Sequence, residues 1–321
     1  MRQTFRVVLL IAFAIGLLSA IAPAAAQDAL GTQNNPITWA FVPSSDSQTV
    51  LTGAKELTDL IQKDTGIYIN AVVATDYSGV IEAMCTGKAP MAALNTFSYI
   101  LASSRGCADV ALVSLRFGSA YYSGQIIVKA GSPIKTLADL KGTTFCRPDP
   151  LSTSGWVVPS ITLRANGINP DTDLKIIDAG GHPQVVTAVI NGDCDAGATF
   201  VDARTADQIP ETTVIATTSQ IPNDTVSFTK DFDPALRQKI VDELLKIAND
   251  KDEQKVLSAT YNWDSLAAAQ DAFFDDFRQQ LDAAGVNIDS LVPTPAPAAT
   301  AEATAEMTPA MTATAEATAS S

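Results

Sequence analysis

Ile37-Thr38-Trp39-Ala40-Phe41-Val42 is an apolar run of strand length, and its continuation decides the fold. Val50 to Thr65 carries apolar residues at helical spacing and stops at Gly66, a helix-ending position. Ile67 to Val73 reads as the next strand, Tyr77 to Cys85 as a helix ended by Gly87, Met91 to Leu94 as a short strand, and Phe97 to Ser104 as another helix. Strands and helices alternating in this way predict an α/β fold with largely parallel sheets. Further along, Ile126-Ile127-Val128, Thr144-Phe145, Leu174 to Ile177 and Ala196 to Thr199 continue the strand pattern. From Pro234 the chain turns helical, through Leu244, Leu257 and Phe274 to Leu281, and no repeat of fixed period is visible.

The two ends read differently from this body. Arg2 and Arg6 precede an apolar run from Val7 to Ile21 and an Ala24-Ala25-Ala26 exit, the pattern of a cleaved export signal over residues 1–26. An uncleaved anchor is the alternative, but the run is shorter than the ~20 residues that span a bilayer. From Pro293 to Ser321 the chain is mostly Thr, Ala, Pro and Glu, with no β-branched apolar or aromatic residue to build a core, so a disordered tail is expected. The 321 residues carry a formal charge of −14, and setting aside two leader arginines and three tail glutamates leaves the body at −13. That acidity argues against nucleic acid or an anionic membrane surface as partner. A single His excludes any centre built from several imidazoles.

Export permits disulfides, and Cys85, Cys107, Cys146 and Cys194 allow three connectivities. Pairing Cys85 with Cys107 and Cys146 with Cys194 is favoured, because each bridge then stays within one proposed domain. No C-x-x-C spacing supports a metal site.

Two motifs carry chemistry. Asp149-Pro150-Leu151-Ser152-Thr153-Ser154-Gly155-Trp156-Val157-Val158 is a turn entering a helix, with three hydroxyls, free backbone N–H groups and a glycine that lets the backbone approach closely. A helix start of this kind binds an anion without any basic residue; an ordinary Ser/Thr cap is the plainer reading. Gly180-Gly181-His182-Pro183 opens another helix whose buried face is marked by Val185, Val186 and Val189. A lone His in such a place is commonly structural.

These motifs, together with Thr75 to Ile81, Tyr121 to Val128 and Ile221-Pro222-Asn223-Asp224, resemble the periplasmic substrate-binding proteins of phosphate/phosphite/phosphonate ABC importers. The resemblance runs from Ile37 to about Leu281. It implies a type II periplasmic-binding-protein fold, in which two α/β lobes joined by two crossover strands close on ligand by hinge motion. Lobe 1 would begin with residues 27–127, lobe 2 would comprise 128–222, and 223–292 would return to lobe 1. The ligand would be a small phosphorus oxyanion held by Tyr77, Tyr122, Ser152, Thr153, Ser154, His182, Asp202 and Asp224. His182 would donate to a ligand oxygen, with nearby negative charge favouring its protonated form. A carboxylate only accepts, so Asp202 and Asp224 would need a protonated oxygen or an ammonium on the ligand. Aminoalkylphosphonate binders of the family have a longer Glu where this chain has Asp202, a departure that puts an amine ligand in question. The resemblance further implies no cofactor, ABC permease subunits as partners, a monomer, and action at the periplasmic or extracellular face of the envelope. A sulfonate or other organic anion, and a sensory rather than transport role, are the alternatives. A hydrolase built on Ser154, His182 and Asp202 is disfavoured, because no Gly-x-Ser-x-Gly elbow is present.

Overall fold

The opening apolar run forms strand β1 (Ile37–Phe41), with Ile37, Trp39 and Phe41 fully buried. A computed structural model describes residues 28–286 and 288; the expected leader and the tail from Pro293 lie outside them. Helix α1 (Ser47–Thr65) starts at Asp46, which accepts a hydrogen bond from the Thr49 amide at 2.9 Å, and ends at Gly66 with φ 75°. Val50, Ala54, Leu57 and Ile61 form its buried stripe. β2 (Ile69–Val73) then lies parallel to β1, Ile37 opposite Ile69. The chain continues through α2 (Tyr77–Cys85), β3 (Met91–Leu94), α3 (Thr96–Ser104) and β4 (Asp109–Leu115). With β10 (Thr225–Phe228) and β11 (Ser265–Ala268) these strands make a six-stranded sheet ordered β11-β4-β10-β3-β1-β2.

Two features of this sheet differ from the sequence expectation. β10 enters between β3 and β4 and runs antiparallel to both. It arrives from the other sheet rather than through a helical crossover on its own, so the rule that makes βαβ strands parallel does not bind it. β11 falls in the stretch expected to be helical and pairs with β4 at the sheet edge. Four residues, two of them alanine, show too little alternation to read as a strand.

The second sheet contains β5 (Tyr121–Lys129), β6 (Thr144–Arg147), β7 (Lys175–Asp178), β8 (Ala196–Phe200) and β9 (Thr212–Pro222), ordered β7-β6-β8-β5-β9. β6 is parallel to β7 and β8, whereas β5 is antiparallel to β8 and β9. Its two faces alternate residue by residue. Ile126 and Phe145 pack with Leu163 of α4 (Val158–Ala165) on one side. Ile127 and Cys146 pack with Val185 and Val189 on the other. A short helix α5 (Pro170–Asp173) precedes β7, and α6 (His182–Asn191) precedes β8.

The chain passes from the first sheet to the second between Leu115 and Tyr121 and returns between Pro222 and Thr225. All nine residues of β5 belong to the second sheet, so a division after residue 127 falls inside that strand. After the return, α7 (Pro234–Asn249), α8 (Lys255–Tyr261) and α9 (Asp275–Ala283) complete the chain's described part. Cys85 is bonded to Cys107 and Cys146 to Cys194, the favoured connectivity. Among the described residues no helix is long and apolar enough to cross a membrane.

Candidate ligand-binding site

β6 delivers the chain into Pro148-Asp149-Pro150, where the Asp149 carboxylate organises the next turn. Its Oδ1 accepts from the Leu151 amide at 2.7 Å and its Oδ2 from the Tyr77 amide at 3.4 Å. Ser152 then caps a single wide turn, Thr153–Val157, of π-helical type. The Ser152 hydroxyl accepts from the Gly155 amide at 3.2 Å, and its carbonyl accepts from the amides of Trp156 and Val157. The Thr153 and Ser154 amides come before the first bond of the turn, so no intrahelical acceptor takes them and they present the turn's positive end. Gly155 is required by close approach: a Cβ there would stand 2.3 Å from Pro148 Cδ.

The turn docks on elements of the first sheet. Thr153 Oγ1 accepts from Asn95 Nδ2 at 2.8 Å and from the Phe97 amide at 2.9 Å. Asn95 Nδ2 also donates to the Leu151 carbonyl at 2.9 Å. Thr153 is therefore a strut between the sheets as well as a hydroxyl with its own proton to give. His182, at the start of α6, donates its backbone N–H to the Ser44 carbonyl at 3.2 Å.

Between these contacts lies a small cavity that brings together most of the expected ligand residues. Tyr77, Tyr122, Ser152, Thr153, Ser154, His182 and Asp224 all line it; Asp202 does not. Asp202 sits half-buried in the turn after β8, where burial raises its pKa and the Arg116 charge works against that rise. Burial, reinforced by carboxylates at Asp149 and Asp224, raises the Tyr77 phenol well above its ordinary value. Burial and Asp224 likewise raise Tyr122. Both phenols therefore keep their protons and remain donors.

The His182 imidazole sits with Nε2 3.3 Å from Ser152 Oγ and Nδ1 2.8 Å from Thr199 Oγ1, edge-on to Phe200 at 4.7 Å. Burial, and after it the positive charge of Arg116, pushes its pKa down to about 3. Among the protein's own groups the ring is thus neutral near pH 7, and the negative charge expected to favour its protonated form is not among those that act on it. The charged neighbour that acts on it is a cation, not a carboxylate. The same contacts dismantle a hydrolytic triad: the ring faces Ser152 and Thr199, while Ser154 and Asp202 are not its partners.

Three further site residues were not expected from sequence: Asn95, Thr199 and, above all, Arg116. Arg116 Nη2 donates to Asp224 Oδ2 at 3.1 Å and to the Tyr261 carbonyl at 3.0 Å. Asp224 Oδ2 also accepts from Trp263 Nε1 at 3.2 Å, so both bonds to this carboxylate fall on one oxygen. In the sequence Arg116 is only a basic residue at the end of the largely apolar run Val110 to Leu115, a place where solvent exposure is the ordinary outcome.

A family model described as "ABC transporter, phosphonate, periplasmic substrate-binding protein" matches residues 39–274. The chain is 32% identical over 175 residues to the phosphate-import protein PhnD of Mycolicibacterium smegmatis, covering 51% of this chain and 54% of that one. It is 29% identical over 230 residues to the phosphonates-binding periplasmic protein of Escherichia coli, covering 68% of each. The matched stretch thus spans from about half to two thirds of these relatives' lengths. In fold, it is similar to the binding protein component of an ABC phosphonate transporter from Pseudomonas aeruginosa, with a TM-score of 0.72 at 22% identity over 82% of this chain and 91% of that chain.

Proposed function

Because this chain belongs to the phosphonate-binding periplasmic substrate-binding proteins of ABC transporters and has their type II fold, we propose that it captures a small phosphorus oxyanion, namely phosphite, phosphate or a small phosphonate. The observation that carries this reading is the convergence, in one small cavity, of the Ser152-Thr153-Ser154 turn with the Tyr77 and Tyr122 phenols and His182. Such a set is rich in donors, and a tetrahedral oxyanion is rich in acceptors. Asp224 adds an acceptor on its Oδ1, which suits the acid proton that hydrogen phosphate or a phosphonate monoanion retains. Sulfate has no such proton near pH 7 and would meet that carboxylate as a repulsive neighbour.

Capture would proceed by closure of two lobes, one on each sheet, about the crossovers at residues 116–120 and 223–224. Four or five hydrogen bonds to a charged ligand, at roughly 1.5–3 kcal/mol each and less the cost of closure, correspond to dissociation constants roughly between nanomolar and micromolar. The protein would act as a monomer outside the cytoplasm, after export, and hand its ligand to the permease subunits of an importer. Calorimetric and thermal-shift titration with phosphite, phosphate and methylphosphonate, with sulfate as control, tests the reading. Heat and a raised Tm are expected with at least one phosphorus oxyanion, and no response to any of them would refute it.

A further inference from the structure

Arg116 is a buried cation whose donors are only partly used. Its side chain keeps 8% of its exposure, a degree of burial at which a guanidinium is normally paired throughout. Nη2 is engaged by Asp224 and Tyr261, but Nε and Nη1 are buried and have no partner among the described residues. The group lies over the Tyr122 ring at 5.5 Å and the Phe200 ring at 4.9 Å, which fixes its orientation. Arg116, both rings and Asp224 line the same cavity.

Its position in the chain is equally specific. Arg116 and Ser119 exchange backbone hydrogen bonds at 2.9 Å across the tight turn Phe117-Gly118, within the first crossover. Asp224 belongs to the second crossover, so the ion pair ties the two passages between the sheets together. Resting on the phosphorus-oxyanion reading above, we infer that Arg116 is a ligand-binding and specificity-determining residue, donating to the anionic oxygens and excluding ligands that carry an ammonium. Idle guanidinium donors match phosphate-type oxygens in both charge and geometry. An ammonium finds no uncompensated negative charge in the cavity, because Arg116 balances the charge of Asp224. Asp224, the one carboxylate among the cavity's described lining residues, already serves Arg116 and Trp263, and Asp202 stands outside. Beside this balanced ion pair an ammonium would give up its hydration without a net Coulomb gain, so an amine-bearing ligand should bind more weakly. The selected class is therefore a compact, amine-free oxyanion such as phosphate, phosphite or methylphosphonate.

The test is calorimetry on the full chain with inorganic phosphate, methylphosphonate and 2-aminoethylphosphonate. Wild type should bind one of the first two at least about tenfold more tightly than the third. Arg116→Gln should weaken phosphate and methylphosphonate about 10- to 100-fold, the range for a hydrogen bond to a charged group, and weaken 2-aminoethylphosphonate less. Arg116→Lys keeps the charge opposite Asp224 but lacks the planar fork, and its phosphate affinity should fall between the other two proteins. If circular dichroism shows that the Gln variant does not fold, the Lys variant and the wild-type ligand order decide. Tighter binding of 2-aminoethylphosphonate than of methylphosphonate by wild type, or unchanged phosphate affinity in a folded variant, overturns the inference. Failure of the wild type to bind any of the three overturns the oxyanion reading itself, a distinct result.

Discussion

Acidification should destabilise this protein through a side chain that can be observed alone. His182 is the sole histidine, is 3% exposed, and is held near pKa 3 by burial and Arg116 rather than at 6.5. The unfolded chain takes up that proton near 6.5, whereas the folded chain refuses it until about 3. Stability contributed by the neutral ring is therefore intact above that upper value and lost progressively as pH falls towards the lower one. The full window corresponds to about 5 kcal/mol, of which about 3 kcal/mol is lost between about pH 7.5 and about pH 4.5. Urea unfolding at those two pH values, on wild type and on His182→Gln, isolates the effect. Asp149 and Asp202, whose pKa values burial raises, titrate in both proteins and cancel from the comparison. Wild type should lose about 3 kcal/mol more than the variant. The single imidazole resonance in the NMR spectrum should stay flat from about pH 5 to about pH 8 in the free protein. Phosphate bound some 4 Å away contributes about 4 kcal/mol per charge at an effective dielectric near 20, enough to move the titration up by about 3 pH units. Equal losses for the two proteins, or a free-protein midpoint near 6.5, would refute the reasoning.

Contacts away from the imidazole lead to two more expected outcomes. Asn95→Ala removes the two bonds that tie α3 to Leu151 and Thr153, at about 0.5–1.5 kcal/mol each. Phosphate should bind roughly 5- to 100-fold more weakly, and small-angle scattering should show a larger radius of gyration; unchanged values in both would count against an interlobe clamp. Cys146→Ala with Cys194→Ala opens a bridge of sequence separation 48, against 22 for Cys85–Cys107. Loop-closure entropy puts the losses at about 4 and about 3.4 kcal/mol respectively. Urea unfolding of the two double variants under oxidising conditions checks both size and order.

How much of the molecule is legible in its sequence depends on the range of the interaction that decides each feature. Helices α1 and α2 and strands β1 and β3 depend on local periodicity and caps such as Asp46 and Gly66, and they fall close to where the pattern puts them. The Ser152-Thr153-Ser154-Gly155 turn is equally local, and its cradle-like form comes from Pro148 and Gly155 in near contact. β10 and β11 are decided by partners more than a hundred residues away, and their antiparallel pairing leaves no trace in their own short sequences. Arg116 is the clearest case. Its burial is created jointly by Tyr122, Phe200, Asp224 and Tyr261, and none of these is near it in sequence except Tyr122. The burial of His182, and after it the charge of Arg116, set its protonation, and neither is visible in the sequence, whereas the acidic residues are.

The insertion of β10 between β3 and β4 also constrains the order in which the molecule can assemble. Leu94 meets Thr225 across 131 positions, whereas every strand of the second sheet comes from the continuous stretch 121–222. A chain that emerges from its N-terminal end can therefore finish the second sheet while the first still has a gap. Until Thr225–Phe228 arrive, β3 and β4 present unpaired edges that any other extended segment could occupy. Closure over so long a separation is intrinsically slow. The Cys85–Cys107 bridge ties the end of α2 to the start of β4 across β3 and α3, and so keeps the two sides of the gap together while they wait for the strand that fills it.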